Sequence, residues 1–174
     1  MLIIFGGLPG TGKTEIAREL ARQIQAVYLR IDSIEQALVD SRSLGGPIHD
    51  AGYCVAYAVA ADNLRLGHTV VADSVNPLRV TRDAWLEIAR IAQVQAIEIE
   101  VVCSNLEEHR RRVETRTPDP PTSRPLTWDE VVSREYHEWH RQRLVLDTAR
   151  QSVEQNVSRI RDILHRHIDE ASNV

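Results

Sequence analysis

The sequence has little that would place it in a membrane or hold it together by disulfide bonds. No apolar run approaches the ~20 residues of a transmembrane helix, and the first residues read directly as a strand, so we expect neither a membrane span nor a signal peptide. The only two cysteines, Cys54 and Cys103, fit no metal-binding spacing. We expect both to be reduced thiols in the core of a cytoplasmic protein.

Neither charge sign is in large excess. The net charge of −4 does not favour nucleic acid or an anionic membrane surface as a partner. A chain of 174 residues with 43% hydrophobic residues is long enough to bury the core of one domain. We therefore expect a single soluble domain over residues 1–174.

Lysine is almost missing, and the one that is present stands in a specific pattern. Lys13 is the only lysine among 21 lysine and arginine residues. It lies in a segment that fits G-x-x-x-x-G-K-[ST], the pattern of the phosphate-binding P-loop. The residues of this segment, called the P-loop below, are Gly7, Leu8, Pro9, Gly10, Thr11, Gly12, Lys13 and Thr14. An arginine-rich composition does not explain this exception, so we infer that the position needs the compact charge of an ammonium group.

The flanks of the P-loop support this interpretation. The apolar run 2–5 predicts a buried parallel strand, and Ile16, Leu20 and Ile24 then recur at helical spacing. Glycines let successive N–H groups converge on anionic oxygens, and the helix N-terminus adds unpaired donors. In such a loop Lys13 is expected to bind the β- and γ-phosphates of ATP, and the Thr14 hydroxyl is expected to be a ligand of Mg²⁺.

Two aspartates follow apolar strands and are candidates for function. Asp32 and Asp73 each stand where a predicted strand ends, and either could instead cap the next helix. However, Ser33 to Gln36 forms a capping-box pattern of its own, and Asn76-Pro77 is a typical helix start. We therefore expect that neither carboxylate is used as a helix cap and that both can have a functional role at the edge of the sheet.

The rest of the chain alternates strands with helices. Strands are predicted over 27–31, 69–72, 96–103 and 143–147, and further helices over 33–40, 51–66, 78–93, 105–115, 127–139 and 152–168. Capping boxes at Ser104 and Thr127 start two of these helices. Helix 51–66 is apolar nearly all round and should be largely buried, whereas Glu98 and Glu100 indicate a strand with one wet face. This alternation predicts an α/β fold with a parallel sheet between two layers of helices and a site at the carboxyl ends of the strands.

Four segments carry a resemblance to a known group. The P-loop, Arg30 to Ser33, Val70 to Asn76 and Arg112 to Arg116 together resemble the small P-loop kinases built on the nucleoside-monophosphate-kinase plan. Within that group the chain is most similar to the kinase-like AAA-domain ATPases, which include chloramphenicol phosphotransferases, the 5′-kinase domains of polynucleotide kinases and zeta-type toxin kinases. The resemblance implies a three-layer P-loop NTPase fold with five parallel strands in the order 2-3-1-4-5 and a mobile lid, here about residues 116–126.

The resemblance also implies roles for individual residues. Asp32 would bind or deprotonate the acceptor hydroxyl, and Asp73 would support Mg²⁺ or the acceptor. Arg116 corresponds to the arginine that flanks the lid and stabilises the migrating phosphoryl group, with Arg112 one turn earlier beside the nucleotide. The sequence leaves open which of five arginines reaches the phosphates, namely Arg110, Arg111, Arg112, Arg116 and Arg124.

One departure from the pattern bears on the acceptor. Polynucleotide kinases have an arginine three residues after the strand-two aspartate, where this chain has Glu35. We therefore expect a kinase that uses ATP and Mg²⁺ to phosphorylate a hydroxyl of a small molecule; nucleic acid is possible but not favoured. The alternatives are a polynucleotide 5′-hydroxyl kinase and an NTPase or regulatory protein with no acceptor. The choice between ATP and GTP and the oligomeric state stay open, and candidates for the acceptor pocket are Arg42, His49, Asn76 and Arg79.

Overall fold

Five short strands form one parallel sheet in this computed structural model, which describes residues 1–41, 46–117 and 125–172, with only the backbone for 167–172. The strands are β1 (Leu2–Gly6), β2 (Val27–Arg30), β3 (Val70–Asp73), β4 (Ala96–Val102) and β5 (Leu144–Asp147). Their order is β2-β3-β1-β4-β5, and every neighbouring pair is parallel. The predicted strand order is confirmed, and β1, which leads into the P-loop, lies at the centre.

Helices cover both faces of the sheet. They are α1 (Lys13–Ile24), α2 (Ile31–Ser41), α3 (Ala51–Arg65), α4 (Arg79–Ile91), α5 (Leu106–Thr115), α6 (Trp128–Val132) and α7 (Val153–Ser172). Because side chains alternate along a strand, β1 contributes to two cores. Ile3 and Phe5 pack with α1 and α7, whereas Leu2 and Ile4 pack with α3 and α4. The three-layer α/β class predicted from the sequence is confirmed.

Several predicted helix starts are wrong. The chain passes from β2 into α2 without a loop, so α2 begins at Ile31 and Ser33 is inside the helix rather than its cap. The N-cap of α4 is Leu78, not Asn76, whose side-chain amide instead donates to the buried carbonyl of Phe5 at 2.7 Å. Asn105, not Ser104, caps α5 by accepting from the Glu108 N–H. Only the capping box at Thr127 is confirmed, with both of its reciprocal hydrogen bonds present.

The wet face predicted for β4 is also wrong, because an irregular segment covers it. Helix α6 ends at Val132 rather than near Trp139, and the chain that follows lies against the sheet. Glu98 and Glu100 are consequently buried, and they form ion pairs with two arginines of that chain, Arg141 and Arg143. Burial of these acids is tolerated because each has a hydrogen-bonded guanidinium partner.

The same irregular segment is held by a buried arginine of α4. Arg82 is fully buried, and its guanidinium donates to the carbonyls of Pro77, His137 and Glu138. The guanidinium carbon also lies 4.3 Å from the ring centroid of Trp139. A segment without regular structure needs partners for its buried carbonyls, and here a single side chain supplies them.

Helix α3 is less buried than its composition predicts. Ala56, Ala60 and Leu64, one turn apart, pack in the core, whereas the opposite face is exposed and includes Cys54 and Val55. Cys54 is therefore not the core thiol expected from the sequence, although Cys103 is buried as expected. Within the described parts of the chain, no helix has the length and apolar content needed to cross a bilayer.

Candidate functional site

The P-loop joins the central strand β1 to helix α1 through left-handed turns that need glycine. Gly10 has φ 84° and Gly12, the N-cap of α1, has φ 88°. A Cβ atom on Gly10 would lie 2.5 Å from the Val113 side chain, so both the backbone angle and the space exclude larger residues. No described side chain caps α1, so the first N–H groups of this helix remain available to an anion.

Lys13 lies at the start of α1 and is buried. It is 6% exposed, and among the described residues its ammonium group has no hydrogen-bond or ion-pair partner. A buried charge without a counter-charge is unfavourable unless the site receives an anion. The only lysine of the chain is therefore placed where a ligand can neutralise it.

An open cavity of about 820 Å³ lies between the P-loop, α2 and the end of α5. Its wall includes five of the predicted site residues with side chains of the expected chemistry: Lys13, Thr14, Asp32, Arg112 and Arg116. Pro9, Gly10 and Gly12 complete the P-loop side of the wall. The structure thus brings the loop, the aspartate after β2 and two arginines of the fourth segment to one place.

The carboxylates of Asp32 and Glu35 form the part of the wall that belongs to α2. Asp32 lies in the first turn of this helix, 3.6 Å from the Arg30 guanidinium. Glu35 follows one turn later, and burial together with the negative charge of Asp32 raises the pKa of Glu35, while Arg134 opposes the shift. Sequence reasoning noticed Glu35 only as a departure from a pattern, and it missed Arg30 and Arg134, which also line the cavity.

The raised pKa of Glu35 predicts a pH-dependent effect on stability. A carboxyl whose folded pKa exceeds its usual 4.5 binds more protons in the folded state, so its contribution to stability falls as the pH rises through that window. The melting temperature of Glu35→Gln relative to the wild type should therefore increase from pH 4 to pH 7. Glu87→Gln is the control, because hydrogen bonds from Arg90 lower the pKa of Glu87 and give the opposite sign. If the difference in melting temperature between Glu35→Gln and the wild type is the same at all pH values, the prediction is contradicted.

Asp73 is buried beneath this arrangement rather than exposed on the cavity wall. It is 1% exposed, the Tyr28 hydroxyl donates to its Oδ2 at 2.7 Å, and the Arg30 Nε lies 4.0 Å from the same oxygen. Burial and the charge of Asp73 raise the pKa of Tyr28, which keeps that hydroxyl protonated as a donor. The other oxygen, Oδ1, is buried and finds no hydrogen-bond partner in the part of the chain that the structure describes.

The residues present fit a magnesium ion that is coordinated partly by the protein and partly by the phosphates of a ligand. The described residues contain no cluster of three His, Cys, Asp or Glu side chains able to hold a metal alone. Mg²⁺ usually keeps several waters and binds through one or two protein oxygens and the phosphates of a substrate. The Thr14 hydroxyl at the cavity and the unpartnered Oδ1 of Asp73 are oxygens of that type.

The arginines of α5 divide into two groups. Arg110 and Arg111 are exposed and pair with Glu114 and Glu108 on the surface of the helix. Arg112 and Arg116 line the cavity, and they differ from each other. Arg112 is already bonded to Glu108 and Thr148, whereas the Nε of Arg116 is buried and has no partner among the described residues.

Other sequence predictions do not meet at the cavity. Arg124 and most of the predicted lid, residues 118–124, lie outside the described residues, as does Arg42. Thr117 and Leu126, at the two ends of that stretch, line the cavity. Asn76 is bonded to Phe5 and Arg79 lies beside Asp83, so neither is part of the wall, and the wall includes Ile48 rather than His49.

Comparison with protein families matches residues 2–141 to the family described as AAA domain. The chain belongs to the AAA domain family. The matched range contains the P-loop, both strand-end aspartates and the arginines of α5. Among curated proteins no match is found for this AAA domain chain.

Solved structures share the fold over nearly the whole chain. A proposed kinase from Chloroflexus aurantiacus superposes with a TM-score of 0.74 at 23% identity, covering 95% of this chain and 96% of the other. Kti12 from Chaetomium thermophilum, solved with ADP-AlF3, gives 0.69 at 24% identity over 93% and 98%. The APS kinase CysC of Mycobacterium tuberculosis, solved with AMPPNP and APS, gives 0.65 at 21% identity over 94% and 96%. The expected place of the AAA domain chain among kinase-like P-loop proteins is confirmed for the fold.

Proposed function

We propose that this protein transfers the γ-phosphoryl group of ATP to a hydroxyl of a small molecule, with Mg²⁺ as the metal. The observation that carries the proposal is the position of Lys13 and Asp32 on the wall of one cavity. An ammonium group that lines the cavity without a partner among the described residues fits a phosphate, and a partly exposed carboxylate fits an acceptor hydroxyl. A binding protein for nucleotides alone would need only the first of these two groups.

On the nucleotide side the chain supplies alignment and positive charge. Amide groups of the P-loop and Lys13 would hold the phosphates. Thr14 with Asp73 would hold Mg²⁺, which would supply positive charge to neutralise the negative charge of the phosphates. Arg116 would act at the migrating group, because the hydrogen-bonding capacity of its buried Nε is not used within the described protein. These roles match the demands of phosphoryl transfer, which needs little covalent chemistry from the protein.

On the acceptor side Asp32 would orient the hydroxyl and take its proton. The acceptor oxygen then forms a bond to the γ-phosphorus as the bond from this phosphorus to the β,γ-bridging oxygen breaks, and ADP leaves. General-base catalysis of this kind contributes on the order of 10²–10⁴ in rate. The hydroxyl must lie within hydrogen-bond reach of the carboxylate, which places the acceptor against α2.

The acceptor wall favours a small molecule over an oligonucleotide. Glu35 lies one helical turn beyond Asp32, where polynucleotide kinases have an arginine, so a carboxylate replaces a group that would attract a chain of phosphates. Val39 and Ile48 add apolar surface to the same wall. A compact acceptor with hydroxyl groups and some apolar area suits this mixture better than a polyanion does.

Labelled ATP and a panel of acceptors test the proposal. The panel comprises nucleosides, antibiotics, nucleotide sugars and 5′-hydroxyl oligonucleotides, each with ATP or GTP as the donor. We expect label to pass to a small molecule and γ-phosphate release to depend on that acceptor. Labelling of the oligonucleotide would support the polynucleotide kinase instead. A slow release that no acceptor changes would support an NTPase or regulatory protein.

A further inference from the structure

Two side chains from distant parts of the chain hold carbonyl groups of the P-loop. His109 of α5 places its Nε2 2.8 Å from the carbonyl oxygen of Pro9. Thr148, directly after β5, donates its hydroxyl to the carbonyl oxygen of Thr11 at 2.7 Å. These bonds span 100 and 137 residues of sequence, so neither follows from the P-loop pattern itself.

Because the peptide bond is planar, a hydrogen bond that fixes a carbonyl group also fixes the direction of the N–H group that follows it. In a trans peptide the C=O and the following N–H point in opposite directions. Fixing the Pro9 carbonyl therefore directs the Gly10 N–H to the other side, and fixing the Thr11 carbonyl does the same for the Gly12 N–H. Gly10 and Gly12 line the cavity, so these are the amides that can meet a phosphate there.

Each of the two side chains is itself fixed in place. His109 is 5% exposed, and its ring packs edge-on against Trp128 with the centroids 5.1 Å apart. Because a carbonyl oxygen can only accept, the Nε2 of His109 carries a proton in this contact. The Thr148 hydroxyl also accepts from Nη1 of Arg112 at 2.8 Å, so one hydroxyl joins the P-loop to an arginine of the cavity wall.

We propose that His109 and Thr148 are positioning residues that hold the P-loop amides in the arrangement that binds phosphate. Glycine-rich loops are free to rotate their peptides, and a loop that must be ordered by its ligand binds less tightly than one already in place. The two side chains reduce this cost at the peptides that precede Gly10 and Gly12. The inference rests on the proposed function only in that the ligand is a polyphosphate.

Two pairs of variants test the proposal on the whole chain. Thr148→Val and His109→Leu remove the donor, whereas Thr148→Ser and His109→Gln keep one. Titration calorimetry with ADP and with inorganic tripolyphosphate, which has no base, measures affinity, and thermal unfolding measures stability. We expect Thr148→Val and His109→Leu each to weaken both ligands about tenfold, the effect of one lost hydrogen bond to a buried carbonyl. Thr148→Ser and His109→Gln should stay within about threefold of the wild type.

The outcomes separate this inference from the proposed function. If the wild type binds neither ADP nor tripolyphosphate, both the proposed function and the positioning inference are contradicted. If it binds and the valine and leucine variants bind equally well, the positioning inference alone is overturned. Equal losses in Thr148→Val and Thr148→Ser would overturn it for Thr148, because packing rather than the hydroxyl would then matter. If His109→Leu does not fold, the Thr148 pair of variants decides. The loss of affinity in Thr148→Val should persist when Arg112 is also replaced by alanine. If it disappears in that background, Thr148 acts through Arg112 rather than through the P-loop, and the inference is contradicted for Thr148.

Discussion

Lys13→Met is expected to lower the affinity for ATP about 30-fold or more without lowering the melting temperature. The Lys13 side chain is largely buried, and its ammonium group lines the cavity without a partner among the described residues, so it contributes charge to the site and little to the fold. Removing one member of a buried charge pair costs about 2–5 kcal/mol, and each 1.4 kcal/mol is a factor of ten in affinity. The neutral side chain also relieves an unfavourable buried charge, so stability should stay the same or rise.

Titration calorimetry with ATP and thermal unfolding without ligand together check this result. The matched control is Arg22→Met on the same helix, because Arg22 is exposed and pairs only with Glu19 on the described surface. It should leave ATP affinity unchanged. If Lys13→Met binds ATP as tightly as the wild type does, the P-loop is not the site that binds ATP. A large loss of melting temperature would instead make Lys13 a structural residue.

Asp32→Asn is expected to reduce acceptor-dependent turnover by about 10² to 10⁴ while ATP affinity stays within a few-fold of the wild type. The amide keeps the size of the side chain but no longer takes a proton, so only the general-base contribution is lost. In the proposed arrangement ATP binds on the other side of the cavity, at the P-loop. The effect should therefore appear in kcat rather than in nucleotide affinity.

Steady-state kinetics with the acceptor found in the panel measure this effect. Asp62→Asn is the control, since Asp62 lies on α3, is exposed, pairs with Arg65 and is not part of the cavity wall. It should have wild-type kcat. If Asp32→Asn keeps full turnover, Asp32 is not the base, and acceptor-independent ATP hydrolysis unchanged by the substitution would favour the NTPase alternative.

Local sequence signals were good predictors where the structure depends on neighbouring residues. The P-loop, the capping box at Thr127 and the apolar strands β1 and β3 were found because each is a pattern of adjacent residues. Helix starts at Ser33 and Ser104 were predicted by the same logic and are wrong. Ser33 lies within α2, which begins directly after β2, and the N–H of Ser104 donates to the Asp147 carboxylate, so neither serine is placed at the start of a helix.

Residues that act through distant contacts were missed. His109 and Thr148 have no pattern in the sequence, because their partners are carbonyls about a hundred residues away. The rule that sites lie at the carboxyl ends of parallel strands could have indicated Thr148, which follows β5 as Asp32 follows β2. No comparable rule points to His109, whose position depends on the packing of α5 under the loop.

The sequence by itself determined that the chain is an α/β protein with a P-loop on its central strand, because periodicity and glycine spacing are local properties. It also singled out Lys13, the only lysine of the chain. Only the tertiary structure decided which polar groups are partnered. Arg112 is bonded to Thr148 while the Nε of Arg116 has no partner in the described chain, and Asp73 is covered by Tyr28 although Asp32 reaches the cavity. Hydrogen bonding and burial depend on neighbours in space, and those neighbours come from strands and helices far apart in the sequence.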